Sequence, residues 1–206
     1  ARAVLASVRS YRGDWVPARR AFESALALSA SDPTVHQSYG TFLSVVGHTR
    51  EALQELGAAR RLAPAYGMCS SLQGVVSSML GLDADALRYA EQAVNLGIPR
   101  ESLAVQLARM NAAFRGGDFA QAAVHMTYAL PAVVREAGGA DTVRLIYAAR
   151  ADSSKRTAAI EALRDLQAHA PGMDSSIMVI YLMDWYTLLG ALDDAYAVAE
   201  AGVARL

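Results

Sequence analysis

Apolar positions along this chain recur at helical spacing, and the helices they predict recur in turn. In GHTREALQELGAARRLAP, Gly47 to Pro64, Ala52, Leu56, Ala59 and Ala63 fall at i, i+4, i+7 and i+11, one stripe of an α-helix. That pattern predicts a helix over about 49–63 after another over about 34–46, with Gly47 as the left-handed residue ending the first. Pro64 closes the pair, because proline cannot continue a helix. The stripe is not unique. Gly13, Gly47 and Gly81 are each 34 residues apart, as are Ala18, Ala52 and Ala86, then Ala25, Ala59 and Ala93, and Gly40 with Gly74. Agreement of several positions on one period marks a repeated structural unit.

Each unit reads as two helices joined by a tight glycine turn, with Gly40 and Ala52 small enough for close backbone approach. In the first unit Asp14 is the expected N-cap and Pro17 sits in the first turn of its helix, where a missing N–H costs nothing. A fourth unit shows in GGDFAQAAVHMTYAL, with Gly117, Asp118, Phe119, Ala122 and Ala129, 36 residues after Gly81 rather than 34. Two looser units follow, one ending at Pro171 and one carrying Gly190 and Ala195. REAGGADT, Arg135 to Thr142, is the expected place for a lengthened loop or a local break.

These residues resemble the tetratricopeptide repeat, a 34-residue helix–turn–helix tile: Gly40, Leu43, Gly47, Ala52, Leu56, Ala59 and Pro64 in the second unit, with Gly74, Gly81, Ala86 and Ala93 in the next. The first tile keeps Gly13, Asp14, Trp15, Ala18, Phe22, Ala25 and Leu28. The resemblance implies an all-α, right-handed superhelical solenoid of antiparallel helix pairs, with about six tiles in one domain over 1–206. Clear tiles are expected at about 1–32, 33–66, 67–100 and 103–136, and degenerate ones at about 140–173 and 176–206. It also implies a protein–protein interaction module whose first helices line a concave groove for a peptide or protein segment. Such arrays occur as regulatory parts of larger bacterial proteins. The alternative is a small-molecule sensor region relaying occupancy to an attached transcription-regulator or cyclase domain.

Family geometry would place Gln37, Thr41, Ser44 and Val45 on the groove side of the second tile. Ser71, Val75, Ser78 and Met79 would follow in the third, and Asn111 and Arg115 in the fourth. This floor carries hydroxyls, amides and small apolar groups and little fixed charge. Members of the family that clamp an acidic peptide terminus use basic groove residues. Here those positions hold Ala3, Ser7, Ser38, Met68 and Leu72, which offer no charge-assisted donor, so that mode is rejected for the first three tiles.

The chain has 206 residues, 53% of them hydrophobic and 19% charged, enough apolar content for a sizeable interior. Its formal charge of −1 gives no bulk attraction to nucleic acid or anionic membrane. Lys155 is the single lysine, so a phosphate-binding loop built on lysine is absent. The four histidines, His36, His48, His125 and His169, lie far apart without metal-site spacing and read as surface or helix-end residues. Cys69 alone permits no intrachain disulfide and reads as a buried, inert thiol. Asp193 and Asp194 read as caps of the last helix. No catalytic, cofactor or metal residue is therefore assigned, and an enzyme is not expected.

The longest nearly apolar run, Ser176 to Gly190, is too short to span a bilayer and contains Asp184. Within it Met178, Tyr181 and Trp185 share one helix face. They read first as core, with the alternative of an apolar interface for a partner or for a second copy through the terminal helices. Both chain ends resemble cuts inside longer helical sequence. The expected partner is a protein or peptide, with no membrane or nucleic acid contact. The expected location is the cytoplasm, with the periplasm equally compatible with one cysteine.

Overall fold

The computed structural model describes residues 2–203, and the described residues contain helices and no strand. The last three residues of the sixth expected tile lie outside this range. Helices α1 (Arg2–Tyr11) and α2 (Trp15–Leu28) form a first pair, α3 (Pro33–Val45) and α4 (Thr49–Leu62) a second, and α5 (Gly67–Met79) and α6 (Asp83–Asn95) a third. Then come α7 (Leu103–Arg115), α8 (Phe119–Ala129) and the short α9 (Ala132–Val134). The chain closes with α10 (Ala140–Ala151), α11 (Arg156–His169), α12 (Ser176–Leu188) and α13 (Leu192–Val203). Sequence suggests one continuous stack; in the structure, contacts group the chain into two compact units, residues 1–112 and 113–206.

In the first unit each pair closes through the same turn. Gly47 has φ +85°, and the His48 amide reaches back to the Leu43 carbonyl at 2.8 Å, the six-residue closure of a Schellman cap. Asp14 N to Arg9 O (2.9 Å) and Leu82 N to Ser77 O (3.0 Å) repeat that bond one tile earlier and one tile later. Close approach within a pair rests on glycine as well. A Cβ on Gly40 would lie 2.8 Å from Leu56 Cγ and 3.1 Å from the Ala52 carbonyl. Gly74 faces Ala86 and Ala90 in the same register. The alanines of the repeated stripe, Ala18, Ala52, Ala59, Ala86 and Ala93, are fully buried.

Between the first two tiles the filler is aromatic. Phe22 lies 5.3 Å from Tyr39 and 5.4 Å from Phe42, ring to ring, so α2 seats on α3 through edges and faces of rings. First helices also touch one another, α1 with α3 and α3 with α5, as a shared face requires.

In the second unit α8 packs on α10, α10 on α11, and α12 on α13. The break foreseen at Arg135–Thr142 is a kink: Ala137 has ψ +20° and Gly138 φ +94°, inside a wide helical turn at Arg135–Gly139. Met178, Tyr181 and Trp185 are buried, together with Leu182, Tyr186 and Leu189. Those three read first as core, and their burial fits that reading; none of them presents exposed apolar surface for the alternative of an interface.

Two expected caps differ. Asp14 precedes α2, yet its carboxylate takes no bond from the helix amides. Asp32 and Asp118 are the working caps, accepting from Thr34 N at 2.9 Å and from Gln121 N at 3.0 Å. Asp194 holds Arg164 in a two-point pair at 2.9 and 2.7 Å, joining α13 to α11. A charge-assisted fork outcompetes a cap bond to a neutral amide.

Candidate functional site

The first helices of the first two tiles enclose an open cleft of about 230 Å³. Its floor is Phe22 and Phe42; Ser7, Ser10 and Tyr11 form the α1 wall, and Gln37, Ser38, Thr41 and Val45 the α3 wall. No charged side chain lines it. Of the residues expected in a groove, Gln37 and Thr41 are brought together here with Val45. Ser44 lies on the same helix outside the cleft and donates to the Thr41 carbonyl at 2.7 Å. Thr41 donates to the Gln37 carbonyl at 3.0 Å and Ser7 to the Ala3 carbonyl at 3.2 Å. The Gln37 amide and Ser38 hydroxyl make no hydrogen bond within the described residues, which leaves donors and acceptors facing the opening.

The third tile behaves differently. Ser71 and Ser78 are buried, not solvated, and Val75 is half-buried. Ser78 donates to the Val75 carbonyl at 2.7 Å and accepts from Asn111 Nδ2 at 3.0 Å, so Asn111 covers this part of the face. Arg115 is exposed at the end of α7.

Tyr11 is the cleft residue the sequence reading passed over. It stands 34 residues before Val45, which stands 34 before Met79. Exposures of 92%, 66% and 55% make these three an apolar ladder along the rim of the first helices. The same 34-residue register reaches Tyr11 by way of Val45, at the last residue of α1.

The polar cluster around His48 is more than a helix start. Arg19 of the first tile donates to Glu51 at 2.9 Å and to Glu23 at 3.1 Å, and His48 Nδ1 lies 2.7 Å from Glu51. The hydrogen bond from His48, then the Arg19 charge, holds the Glu51 carboxyl below its usual range. The hydrogen bond to Glu23 raises the Arg19 guanidinium further. The network ties one tile to the next across solvent. His36 likewise bridges helices, with Nδ1 2.6 Å from Glu55 and Nε2 3.0 Å from the Ala30 carbonyl. Cys69 is buried, and burial pushes its thiol up, the setting of an unreactive sulfur. Among the described residues no cluster of His, Cys, Asp or Glu could hold a metal, and no helix is long and apolar enough to cross a membrane.

No protein-family model matches the chain, and no curated relative does. Among solved structures it is similar to pilF of Pseudomonas aeruginosa, with a TM-score of 0.58 and 23% identity over 83% of this chain and 76% of that one. Likeness at that identity speaks to the fold alone. The chain is all-α, built of packed helix pairs like those of that tetratricopeptide protein.

Proposed function

We propose that this chain is a protein–protein interaction module that takes an uncharged segment of a partner along its first helices. The observation that carries the reading is the cleft between α1 and α3, lined by hydroxyls, an amide and exposed apolar side chains and by no charge. An extended peptide presents N–H and C=O groups that Gln37 and Ser38 can satisfy, while Tyr11 and Val45 offer apolar contact to its side chains. A cleft of about 230 Å³ is also smaller than the roughly 300–1,000 Å³ typical of enclosed small-molecule sites, and it continues into an exposed rim. Both points favour a segment over a metabolite. The role as regulatory or scaffolding part of a larger bacterial protein belongs to the same proposal and rests on sequence character.

The test is selection of a random displayed peptide library on the protein, followed by titration of enriched peptides against wild type and against Tyr11→Asp combined with Thr41→Arg. Binding to wild type and loss of about tenfold or more in affinity on the double variant is expected, with helical circular dichroism unchanged. Equal binding to both proteins would refute the cleft. A metabolite that raises the thermal midpoint where no peptide binds would favour the sensor alternative.

A further inference from the structure

The second helices carry a feature that the groove reading does not use. Beside the Gly47 turn lies a notch of about 350 Å³ walled by Trp15, Val16, Arg19, Arg20 and Glu23 of α2 and by Phe42, Val46 and His48. A second notch, of about 370 Å³, is lined by Arg50, Leu53, Gln54, Leu80 and Leu82. Adding 34 to positions 16, 19, 20, 46 and 48 gives the second set position for position, although the residue types differ: Arg50 stands where Val16 does, and Gln54 where Arg20 does. Scattered apolar side chains on a surface need no explanation. Two notches formed by equivalent positions of successive tiles are a property of the tile.

Their chemistry is apolar with a cationic rim. Trp15 is 46% exposed, Val16 63% and Leu82 44%, although each is large enough to be buried where a neighbour exists. Glu23 in the wall of the first notch and Glu51 beside it are both paired with Arg19, which leaves Arg20 as the uncommitted charge of that notch. Arg20 rims the first notch and Arg50 the second; both are exposed, and neither has an ion-pair partner among the described residues.

We propose that this turn edge is a second docking surface, for an acidic amphipathic segment of a partner protein. Its apolar side chains seat in the two notches and its carboxylates meet Arg20 and Arg50. Guanidinium groups take carboxylates in a two-point geometry that fixes register as well as charge. A basic segment would set like charges against the same arginines. Laying an amphipathic face into a row of apolar notches is an established way for helical surfaces to select a partner. The inference does not depend on the cleft between α1 and α3.

Trp15 supplies the readout, because Trp185, the chain's other tryptophan, is buried. The probe is a synthetic peptide of roughly 15 residues with leucine on one helical face and glutamate on the other. It is compared with the same peptide carrying lysine for glutamate and with one carrying serine for leucine. The expected result is a blue shift and protection from a soluble quencher with the acidic peptide. Both should be absent in Trp15→Phe, weakened about tenfold by Arg20→Glu with Arg50→Glu, and unchanged by Tyr11→Asp. Equal binding of the lysine peptide would overturn the proposal. So would indifference to the arginine reversals, or binding that leaves Trp15 emission unmoved. The insensitivity to Tyr11→Asp separates this test from the fate of the cleft.

Discussion

Residues 1–112 and residues 113–206 use the same helix-pair scheme and differ in which residues set the spacing within a pair. In the first unit contacts within each pair are set by what is missing: Gly40, Gly74 and a column of buried alanines let backbones approach. In the second they are set by bulk, with Met178, Leu182, Trp185 and Tyr186 filling the interior of α12. Small residues impose one separation, so each tile must repeat the last and the 34-residue period survives. Large side chains interdigitate in many arrangements, so the period can drift and the chain can kink at Gly138 without losing its core. Repetition also sets surfaces in register, which is why Tyr11, Val45 and Met79 form a ladder in the first unit.

The comparison breaks most visibly at Trp185. Trp185→Ala removes a buried indole whose ring lies tilted at 5.7 Å from that of Tyr181, and we expect a loss of about 3–5 kcal/mol in denaturant unfolding. A loss under about 1 kcal/mol would show that the second unit is not filled by bulk. Next is Gly40→Val in the first unit. Its Cβ would meet Leu56 and the Ala52 carbonyl inside contact distance, and overpacking of this kind costs about 1–3 kcal/mol. Gly57→Ala sharpens the point with the opposite sign. Gly57 lies in α4 of the same tile, and its nearest neighbours to a new Cβ are side-chain ends at 3.5 and 3.6 Å. A helix-interior glycine with room for a methyl group should gain about 0.5–1 kcal/mol on becoming alanine. A loss there would mean that the whole α4 surface, and not Gly40 alone, demands small residues.

The same contrast explains what could be read from sequence. Gly47, Gly40 and Ala52 announced the pairs because steric exclusion leaves few residue choices, and those choices repeat. Gln37 and Thr41, one helical turn apart on α3, both line the cleft. Ser71 and Ser78 are buried, and Asn111, which reaches Ser78, arrives after a two-residue change of register that hides its phase. The tie that Glu51 makes is hidden from the sequence for a related reason. Its partner Arg19 is 32 residues away on another tile, and no local pattern reports a salt bridge between tiles. Asp194 looked like a cap because it opens a helix, while Arg164, 30 residues earlier, claims it.

The smallest expected effect sits in the second unit, where two aspartates are shifted in opposite directions. On α12, loss of hydration beside its neighbours pushes the carboxyl of the exposed Asp184 above its ordinary value of 3.8, and the Tyr181 hydroxyl one turn before it is buried without a hydrogen-bond partner among the described residues. On α13, the hydrogen bonds from Arg164 hold Asp194 below the same value. A raised carboxyl keeps its proton more tightly when folded. Asp184 therefore costs stability as pH rises from the unfolded value through the folded one, and the cost stays in place at neutral pH. A lowered carboxyl does the reverse. The stability from Asp194 is present above the unfolded value and lost as pH falls toward the folded one. Asp184→Asn should raise the thermal midpoint at neutral pH, by less than either glycine effect, and change little in strong acid where the native carboxyl is already protonated. Asp194→Asn should lower the midpoint at neutral pH, and high salt should shrink that loss because the Arg164 end of the pair is solvent-exposed. Opposite signs for the two variants, measured in one pH series, would establish that α12 carries its one charge at a cost set by its bulky apolar surroundings. A fall in midpoint for Asp184→Asn at neutral pH would show instead that the carboxylate holds a stabilising bond in the folded protein.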